Sequence, residues 1–385
     1  MICIDASPAV HQKAGIGRYA EELLLALQVQ AGASARQRYA ALYHDAVTAK
    51  TTACIDHLTQ IRITQPVYPW RLRALLAQVL NSGQDELLAG QTHPPIQLFH
   101  ATEHLLPRFK QVKTVFTLHD LIFKFFPKYH LPRNWIFLQV AMPLFLRRAD
   151  AVICVSEHTR RDAERIYHLP DHKTHVIYEG VHPRFNTGLS ARVLAEVRAR
   201  YQLPARYILA VGTIEPRKNL ITLFDAMQAL LKQHPQHADL HVVVVGKQGW
   251  LYDATLQAVA QRGLQERVHF TGWLPDVDLP AVYAQAQAVA MPSVYEGFGL
   301  PALEGLACGV PVVCSNASSL PELMGDAAVL LPPLDVAAWV TALHRVLSDA
   351  DFARNLRAGG PRQAAKFSWG QTAAQTQRVY EGLLK

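Results

Sequence analysis

Short apolar runs rich in β-branched residues alternate with longer amphipathic stretches along the whole chain. Continuous apolar runs of this length are typical of strands in a parallel sheet, and the stretches between them predict helices. The runs are MICID, YAALYH, IQLFHA, TVFTLHD and AVICVS in the first half, then YILAVGT, LHVVVVG, RVHFTG, AVAMPS and VPVVCS. The repetition predicts an α/β protein with two doubly wound, Rossmann-like domains that face each other across a cleft.

Strand signals stop between Val181 and Pro204, where HPRFNTG supplies residues that break regular structure. We therefore expect an N-terminal domain over residues 1–183, a linker over 184–204 and a C-terminal domain over 205–368. The last stretch, FSWGQTAAQTQRVYEGLLK, predicts a helix over 369–385 that packs back on the first domain.

The composition is that of a globular protein, with 50% hydrophobic and 18% charged residues among 385. A formal charge of +7 favours an anionic partner: nucleic acid, a membrane surface or a phosphorylated small molecule. A nucleic-acid binder would need a basic stripe with aromatic residues, and the positive residues here are scattered, so nucleic acid is not expected.

Five cysteines without CxxC spacing indicate reduced thiols in a cytoplasmic protein. The N-terminus begins as a strand without a secretion signal, and no apolar run reaches the ~18 residues of a spanning helix. No metal is expected. The histidines lack zinc-ligand spacing, and Asp278 of the sequence PDVDLP is better explained as a helix cap than as half of a metal-binding DxD.

The stretch SVYEGFGLPALEGLACGVPVVCS places Glu296 and Glu304 around a glycine turn and a helix start. Gly297 and Gly299 can take backbone angles that are closed to other residues. Three amides at this helix start would face a phosphate: those of Phe298, Gly299 and Leu300. Carboxylates pair with vicinal hydroxyls of a ribose or hexose. The alternative is a tight turn with a solvated Glu296 and a capping Glu304.

A second motif, AVGTIEPRKNLITLFDAMQALL, presents Arg217 and Lys218 on the loop between a strand and a helix. Two cations at a strand end can neutralise a diphosphate without a metal. The alternative is a solvated basic turn.

Gly15 and Gly17 precede a strong amphipathic helix near the N-terminus. With Ala20 they match G-x-G-x-x-A, but eight residues separate Gly15 from the strand end near Ala6, whereas a dinucleotide fingerprint needs an immediate turn. A loop that faces a phosphate or a sugar is the better interpretation.

His119 and Asp120 follow the apolar strand TVFTL and are therefore expected at the ligand-binding edge of the first sheet. His119 could donate to a sugar hydroxyl or contact a phosphate, with Asp120 orienting the imidazole. A satisfied turn is the structural alternative.

Taken together, EPRKN, PSVYEGFGLPALEGLACGVPVV and SNASSLPE resemble the retaining glycosyltransferases of family 4, which have the GT-B fold. GIGRY and LHDLIFKFFP are similar to the subset that uses nucleotide-mannose donors. The resemblance runs from Ile4 to Tyr380.

The resemblance implies that the first domain lies on the acceptor side and that the second binds the nucleotide sugar. It gives catalytic roles to His119, Asp120, Arg217, Lys218 and Glu296. Arg217 and Lys218 would hold the diphosphate, and Glu296 and His119 would contact the hexose. The remaining donor-binding residues it implies are Gly15, Gly17, Gly246, Lys247, Gly297, Phe298, Gly299, Leu300 and, for the ribose, Glu304.

The function implied is transfer of a hexose, mannose from GDP-mannose, to a saccharide or lipid-linked saccharide in cell-surface polysaccharide biosynthesis, without metal or cofactor. Because no carboxylate is an obvious nucleophile, a front-face reaction is expected. The alternatives are a UDP-sugar-dependent glucosyl- or N-acetylhexosaminyltransferase and a sugar-nucleotide epimerase of similar fold. A two-domain sugar-binding protein would carry a secretion signal and would not need Arg217 and Lys218.

Two helical stretches mix aromatic, aliphatic and arginine residues: VYPWRLRALLAQVL (67–80) and RNWIFLQVAMPLFLRRAD (133–150). Such a mixture is typical of helices at a membrane surface, and would place the protein peripherally on the inner face of the cytoplasmic membrane. Core-facing helices with basic outer faces explain it equally well.

Overall fold

The computed structural model describes residues 1–50 and 52–385 of the chain. These residues form two compact units: the first is Met1–Gly180 with Ser368–Lys385, and the second is Val181–Phe367. At the ends of the second unit, the Val181 N–H donates to the carbonyl oxygen of Phe367 at 3.1 Å.

The first unit is built on a fully parallel sheet, and helices connect most of its strands. Its strands are β1 (Ile2–Asp5), β2 (Tyr39–Tyr43), β3 (Thr59–Arg62), β4 (Leu98–Ala101), β5 (Lys113–Leu118), β6 (Ala151–Cys154) and β7 (Thr174–Val176). The helices are α1 (Ser7–Val10), α2 (Ile16–Ala31), α3 (Ala35–Arg38), α4 (Val67–Val79), α5 (Ile122–Phe125), α6 (Pro132–Arg148) and α7 (Glu157–Tyr167).

The strand order of this sheet is β3-β2-β1-β4-β5-β6-β7, and Ile4 of β1 pairs with Ala41 on one side and His100 on the other. One face packs against α4 and α6, where Phe99 and Phe116 meet Trp70 and Phe145 in a single buried cluster. Connections run outward in opposite directions from β1 and β4, which creates a switch point where parallel sheets bind ligands.

The second unit repeats this design. Its strands are β8 (Tyr207–Val211), β9 (His241–Val245), β10 (Val268–Gly272), β11 (Ala288–Met291), β12 (Val312–Ser315) and β13 (Val329–Leu331). Its helices are α8 (Ala191–Tyr201), α9 (Leu220–Gln233), α10 (Asp253–Gln261), α11 (Leu279–Ala284), α12 (Leu300–Ala307), α13 (Leu320–Met324), α14 (Val336–Ser348) and α15 (Ala350–Ala364). The sheet is parallel in the order β10-β9-β8-β11-β12-β13, so the switch point lies between β8 and β11. The predicted fold class, two doubly wound Rossmann-like domains, is confirmed.

The final helix, α16 (Trp369–Leu384), belongs to the first unit. Ser368 caps it by accepting a hydrogen bond from the Gln371 N–H at 3.3 Å. Tyr380 is fully buried, and its hydroxyl is hydrogen-bonded to His100 Nδ1 of β4 at 2.6 Å. The last residues therefore complete the core of the first unit.

The structure differs from the predicted elements in two ways. Strands β3, β7 and β13 were missed, and each lies at a sheet edge where most of its residues are only partly buried. Edge strands need no continuous apolar run, so they lack the signal used to find the others. The segment 184–204, expected as a linker, lies in the second unit and carries α8, which Ser190 caps.

Among the helices of residues 1–50 and 52–385, none combines the length and the apolar composition needed to cross a membrane. All five cysteines are buried free thiols.

Candidate active site

The loops that follow β8 and β11 meet at the switch point of the second sheet. The first carries Arg217 and Lys218 in a 3₁₀ turn directly before α9, and the second carries Glu296 after β11. The two loops are joined by the backbone, because the Val294 N–H donates to the carbonyl oxygen of Arg217 at 2.9 Å. The fold thus brings together two sequence motifs that are nearly eighty residues apart.

Four charged side chains form one ion-paired cluster in these loops. Lys218 Nζ donates to Glu296 Oε1 at 2.7 Å, and the Arg217 guanidinium pairs with the carboxylates of both Glu296 and Glu215. Lys218, Glu296 and Glu215 are each less than 9% exposed. The cluster holds two positive and two negative groups, and its charges are paired and largely shielded from water.

The ionisation of the cluster follows from these contacts. Burial alone would raise the pKa of Glu296, but Arg217 and Lys218 outweigh it and lower that pKa to about 2. Burial lowers the pKa of Lys218, and the Glu296 carboxylate opposes that shift. Glu296 is therefore a carboxylate at neutral pH, with its oxygens directed at the two cations.

Two glycines allow the cluster to form at the strand ends. Gly212 has φ +143°, and a Cβ there would lie 2.9 Å from Cε of Lys218. Gly246, at the end of β9, has φ +154°, and a Cβ there would lie 2.0 Å from the carbonyl oxygen of Gly212. The neighbouring Lys247 is exposed, and its Nζ lies 5.8 Å from the ring centroid of Trp273. Gly246 thus has a packing role here, and its assignment to the donor base stays a prediction.

The turn Gly297–Leu300 connects Glu296 to α12. Gly299 is the N-cap of α12 with φ +132°, and a Cβ there would lie 2.7 Å from a methyl carbon of Leu320. The Ser319 hydroxyl donates to the carbonyl oxygens of Glu296, at 3.1 Å, and Phe298. The Glu296 N–H donates to Ser318 Oγ at 2.7 Å. The two serines belong to the motif SNASSLPE. The sequence did not predict that this motif holds the glycine turn.

Glu304 lies inside α12, one side of which faces the sheet. Its side chain is buried, with 1% of the residue exposed, and Oε2 accepts a hydrogen bond from the Tyr283 hydroxyl at 2.8 Å. The alternative of a solvated Glu296 with a capping Glu304 does not fit, because both carboxylates are buried and bonded to other side chains. The ribose contact of Glu304 stays a prediction.

His119 lies at the end of β5 in the first unit, and is buried. Its Nε2 is 2.9 Å from the carbonyl oxygen of Thr102, which can only accept, so Nε2 carries the hydrogen. Nδ1 lies 3.6 Å from a carboxylate oxygen of Glu179, and the ring of Tyr19 packs edge-on against the imidazole at 4.8 Å between centroids.

Asp120 does not orient His119 as expected. Its carboxylate accepts from the Ile122 N–H at 3.2 Å and so bonds the first turn of α5. The carboxylate next to His119 is that of Glu179, which sequence reasoning missed. Glu179 follows β7, and because that edge strand was not recognised, nothing marked the residue as lying at a strand end.

Gly15 and Gly17 have different environments at the start of α2. Gly15 is its exposed N-cap, with φ +47° and open space where a side chain would stand. Gly17 is buried in the first turn, where a Cβ would lie 2.7 Å from the carbonyl oxygen of Pro8. Gly17 thus permits close packing of α2 against α1, and the donor-binding role of both glycines stays a prediction.

Asp278 occupies the N-cap position of α11, but its side chain does not cap the helix as predicted. Both carboxylate oxygens accept from Arg200 Nη1, at 2.8 and 3.0 Å, and one accepts from the Tyr201 hydroxyl at 2.5 Å. Asp278 instead holds α8 against α11.

Two sequence families match the chain, one for each half. "Glycosyltransferase Family 4" matches residues 15–185, and "Glycosyl transferases group 1" matches residues 197–363. The chain belongs to the family 4 glycosyltransferases, and its fold is GT-B.

The relatives extend this result. The O-antigen chain mannosyltransferase B of Escherichia coli is 34% identical over 286 residues, 74% of each chain. The serotype-specific mannosyltransferase WbdA of the same species is 32% identical over 265 residues, which are 68% of this chain but 32% of WbdA.

Solved structures show the same fold over the whole chain. Sucrose-phosphate synthase from Thermosynechococcus elongatus has a TM-score of 0.76 at 22% identity and covers 100% of this chain and 98% of its own. HepE of Anabaena, solved in complex with UDP and glucose, has a TM-score of 0.72 at 20% identity and covers 99% of both chains.

Proposed function

We propose that this glycosyltransferase is a retaining mannosyltransferase that transfers mannose from GDP-mannose to a saccharide or lipid-linked saccharide in cell-surface polysaccharide biosynthesis. The observation that carries the proposal is the buried cluster of Arg217, Lys218 and Glu296 at the switch point. The 34% identity to an O-antigen mannosyltransferase supports the donor sugar and the pathway class.

The cluster suits a diphosphate next to a hexose. Arg217 offers a planar set of N–H donors and Lys218 a compact charge, so together they can bind the oxygens of a pyrophosphate. Their charge is balanced by Glu215 and Glu296. When a donor binds, its phosphates become further partners for the cations, and Glu296 can turn part of its hydrogen-bonding capacity to sugar hydroxyls.

The chemical step breaks the bond between the anomeric carbon and the leaving phosphate oxygen. Negative charge grows on that oxygen, and preorganised cations with the amide dipoles at the start of α12 stabilise it. Positive side chains thus fill the role that a metal ion would otherwise have, and we propose that the reaction needs none.

Retention of configuration is proposed to follow a front-face course. The leaving phosphate accepts the proton of the acceptor hydroxyl while that hydroxyl attacks the same face of the sugar. A covalent course would need a carboxylate free to attack the anomeric carbon. Glu296 is bound to two cations and Glu304 is buried against Tyr283, so neither is suited to that role.

A UDP-sugar donor is the second candidate. It is favoured by one observation, the shared fold of HepE, which was solved with UDP and glucose. The sequence identity to HepE is 20%, whereas the identity to the O-antigen mannosyltransferase is 34%. GDP-mannose is therefore the first choice of donor.

Slow donor hydrolysis in the absence of acceptor tests the proposal. The protein is incubated separately with GDP-mannose, UDP-glucose and UDP-N-acetylglucosamine, with and without EDTA, and release of the nucleoside diphosphate is followed. We expect release from GDP-mannose, unchanged by EDTA, and α-anomeric product once an acceptor is found. Release of UDP alone would select the second candidate, and an epimerised donor without hydrolysis would indicate an epimerase.

A further inference from the structure

The face of the first sheet that is turned away from α4 and α6 carries polar side chains at its centre. His100 of β4 and Thr117 of β5 are fully buried there, and His100 Nε2 lies 2.7 Å from Thr117 Oγ1. Just beyond the ends of the same two strands, His119 Nε2 donates to the carbonyl oxygen of Thr102. His119 therefore follows directly on a buried, hydrogen-bonded pair that connects the two strands.

This pair is part of a longer network that runs from α16 to α2. The Tyr380 hydroxyl lies 2.6 Å from His100 Nδ1, and Thr117 Oγ1 lies 2.9 Å from the Tyr19 hydroxyl. We call these four fully buried side chains, Tyr380, His100, Thr117 and Tyr19, the His100 network. Burial, and then the neighbouring His119, lower the pKa of His100 to about 3, so its imidazole is neutral. One ring nitrogen can then donate while the other accepts, and the hydrogen bonds can run in one direction through all four groups.

Tyr19 is the end of the network that contacts His119. Its ring packs edge-on against the imidazole, with 4.8 Å between centroids and an angle of 89° between the ring planes. The ring of Trp369, the first residue of α16, lies 6.0 Å from the Tyr19 ring. Burial and the Glu179 carboxylate raise the pKa of the Tyr19 phenol, so its hydroxyl stays protonated. Tyr19 is thus held at its ring and at its hydroxyl, and it limits the positions that His119 can take.

The start of α16 also holds the segment that carries Glu179, the carboxylate next to the imidazole. The Thr372 hydroxyl donates to the carbonyl oxygen of Tyr178 at 2.8 Å. On the other side of Glu179, a Cβ at Gly180 would lie 2.2 Å from the first backbone nitrogen of α16. Helix α16 therefore contacts the chain both before and after Glu179.

We propose that α16 is a positioning element, which sets the orientation of His119 for catalysis through Tyr19 and through Glu179. An apolar pair in place of His100 and Tyr380 would fill the core without the cost of burying polar groups. A fully satisfied polar network instead selects one arrangement of the rings. The inference rests on the proposed function in giving His119 a contact with the transferred hexose, whereas the orientation of the imidazole can be measured without a substrate.

Two substitutions on α16 test the proposal. Tyr380→Phe removes the hydroxyl that begins the network, and Thr372→Val removes the donor to Tyr178, each with little change in volume. We expect kcat for release of GDP from GDP-mannose to fall about tenfold in each variant, with the donor KM within about twofold of wild type. In a His119→Asn background the same substitutions should have no further effect on kcat, because residues that act through one group are not additive.

Tyr39→Phe is the matched control. The Tyr39 hydroxyl donates to Gln377 of the same helix at 2.6 Å, so this variant also removes a hydrogen bond between α16 and the sheet. That hydrogen bond lies outside the His100 network, and we therefore expect kcat to be unchanged. A fall in kcat that is as large in Tyr39→Phe as in Tyr380→Phe would overturn the proposal, since any loosening of α16 would then have the same effect.

The imidazole NMR resonances of His119, identified by their loss in His119→Asn, provide a measurement that needs no donor. They should shift in Tyr380→Phe and Thr372→Val and keep their positions in Tyr39→Phe. Unmoved resonances in both α16 variants, or a fall in kcat that persists in full in the His119→Asn background, would overturn the proposal. A wild-type protein that releases no GDP would contradict the proposed function, and the imidazole resonances would still decide this inference.

Discussion

Lys218 donates a hydrogen bond to Glu296 at 2.7 Å across two loops that are far apart in sequence, and both side chains are almost fully buried. The pair links the loop after β8 to the loop after β11, so the cation that we propose for the diphosphate and the carboxylate that we propose for the hexose hold each other in position. A substitution of either residue therefore affects both halves of the proposed donor site.

Neutralising the cations should impair chemistry. In Arg217→Gln and Lys218→Gln, we expect donor hydrolysis to slow by about 10²–10³-fold, because each removes a preorganised charge from the leaving phosphate. Steady-state release of GDP measures this. Arg192→Gln is the control, since Arg192 is an exposed arginine paired only with Glu196 on the same helix in the contacts described. Unchanged rates in both site variants would remove the leaving-group role.

Acid should selectively weaken the contribution of Glu296 to stability. Its pKa is about 2 in the folded protein, below the ordinary value of 4.5. The folded state therefore binds fewer protons, and the stabilisation is complete above pH 4.5 and declines as the pH falls toward 2. We expect the urea midpoint of wild type to exceed that of Glu296→Gln near neutral pH, and the gap to narrow on acidification.

Glu196→Gln provides the comparison for this titration. Glu196 is half exposed and forms a surface pair with Arg192, so its replacement should change the midpoint little at any pH. If the difference in urea midpoint between wild type and Glu296→Gln stayed constant from neutral to acid pH, this would contradict an ionised, ion-paired Glu296.

Glu179 should act through His119. Because its carboxylate faces Nδ1 of the imidazole at 3.6 Å, Glu179→Ala should let the ring shift and lower kcat ten- to a hundredfold, with the donor KM little changed. Glu179→Gln, which keeps the shape and one acceptor oxygen, should recover part of the loss. Glu157→Gln at the start of α7, where the side chain is 41% exposed, controls for surface charge. An equal decrease in kcat in the Ala and Gln variants would count against this role. So would a decrease in thermal stability with no change in kcat.

Gly246→Ala should destabilise the second unit. A Cβ at this position would meet the Gly212 carbonyl oxygen at 2.0 Å, and the φ of +154° is unfavourable for a side chain. We expect a loss of about 1–3 kcal/mol in the free energy of unfolding, measured by urea denaturation. Gly359→Ala in α15, where the added methyl group meets open space, should instead be neutral or gain about 0.5–1 kcal/mol. A tolerated Gly246→Ala would show that the strand ends can separate.

Most of the fold could be predicted because buried parallel strands carry a strong signal. Runs such as LHVVVVG are apolar throughout, since helices cover both faces of the sheet. The sequence did not predict β3, β7 and β13. An edge strand such as THV can contain polar residues at positions that are apolar in a central strand. Missing β7 had a consequence for the site, since it hid the position of Glu179.

The sequence predicted which residues form the candidate site better than it predicted the contacts between them. Spacing alone placed Arg217, Lys218 and Glu296 at strand ends, where parallel sheets bind ligands. It did not show that Glu296 is bound to both cations, because that depends on how two distant loops meet. The contact of Asp120 was missed for a similar reason, since the spacing did not show that its carboxylate accepts from the Ile122 N–H.

The backbone leaves the first unit after Gly180 and returns to it at Ser368, with Val181 and Phe367 hydrogen-bonded where the excursion begins and ends. During translation the second unit is thus complete as one uninterrupted stretch before the first has received Tyr380, the partner of His100. The inserted unit can therefore consolidate early, whereas the unit synthesised first stays incomplete until residues 368–385 have been made. A truncation that removes α16 would for this reason damage the N-terminal unit.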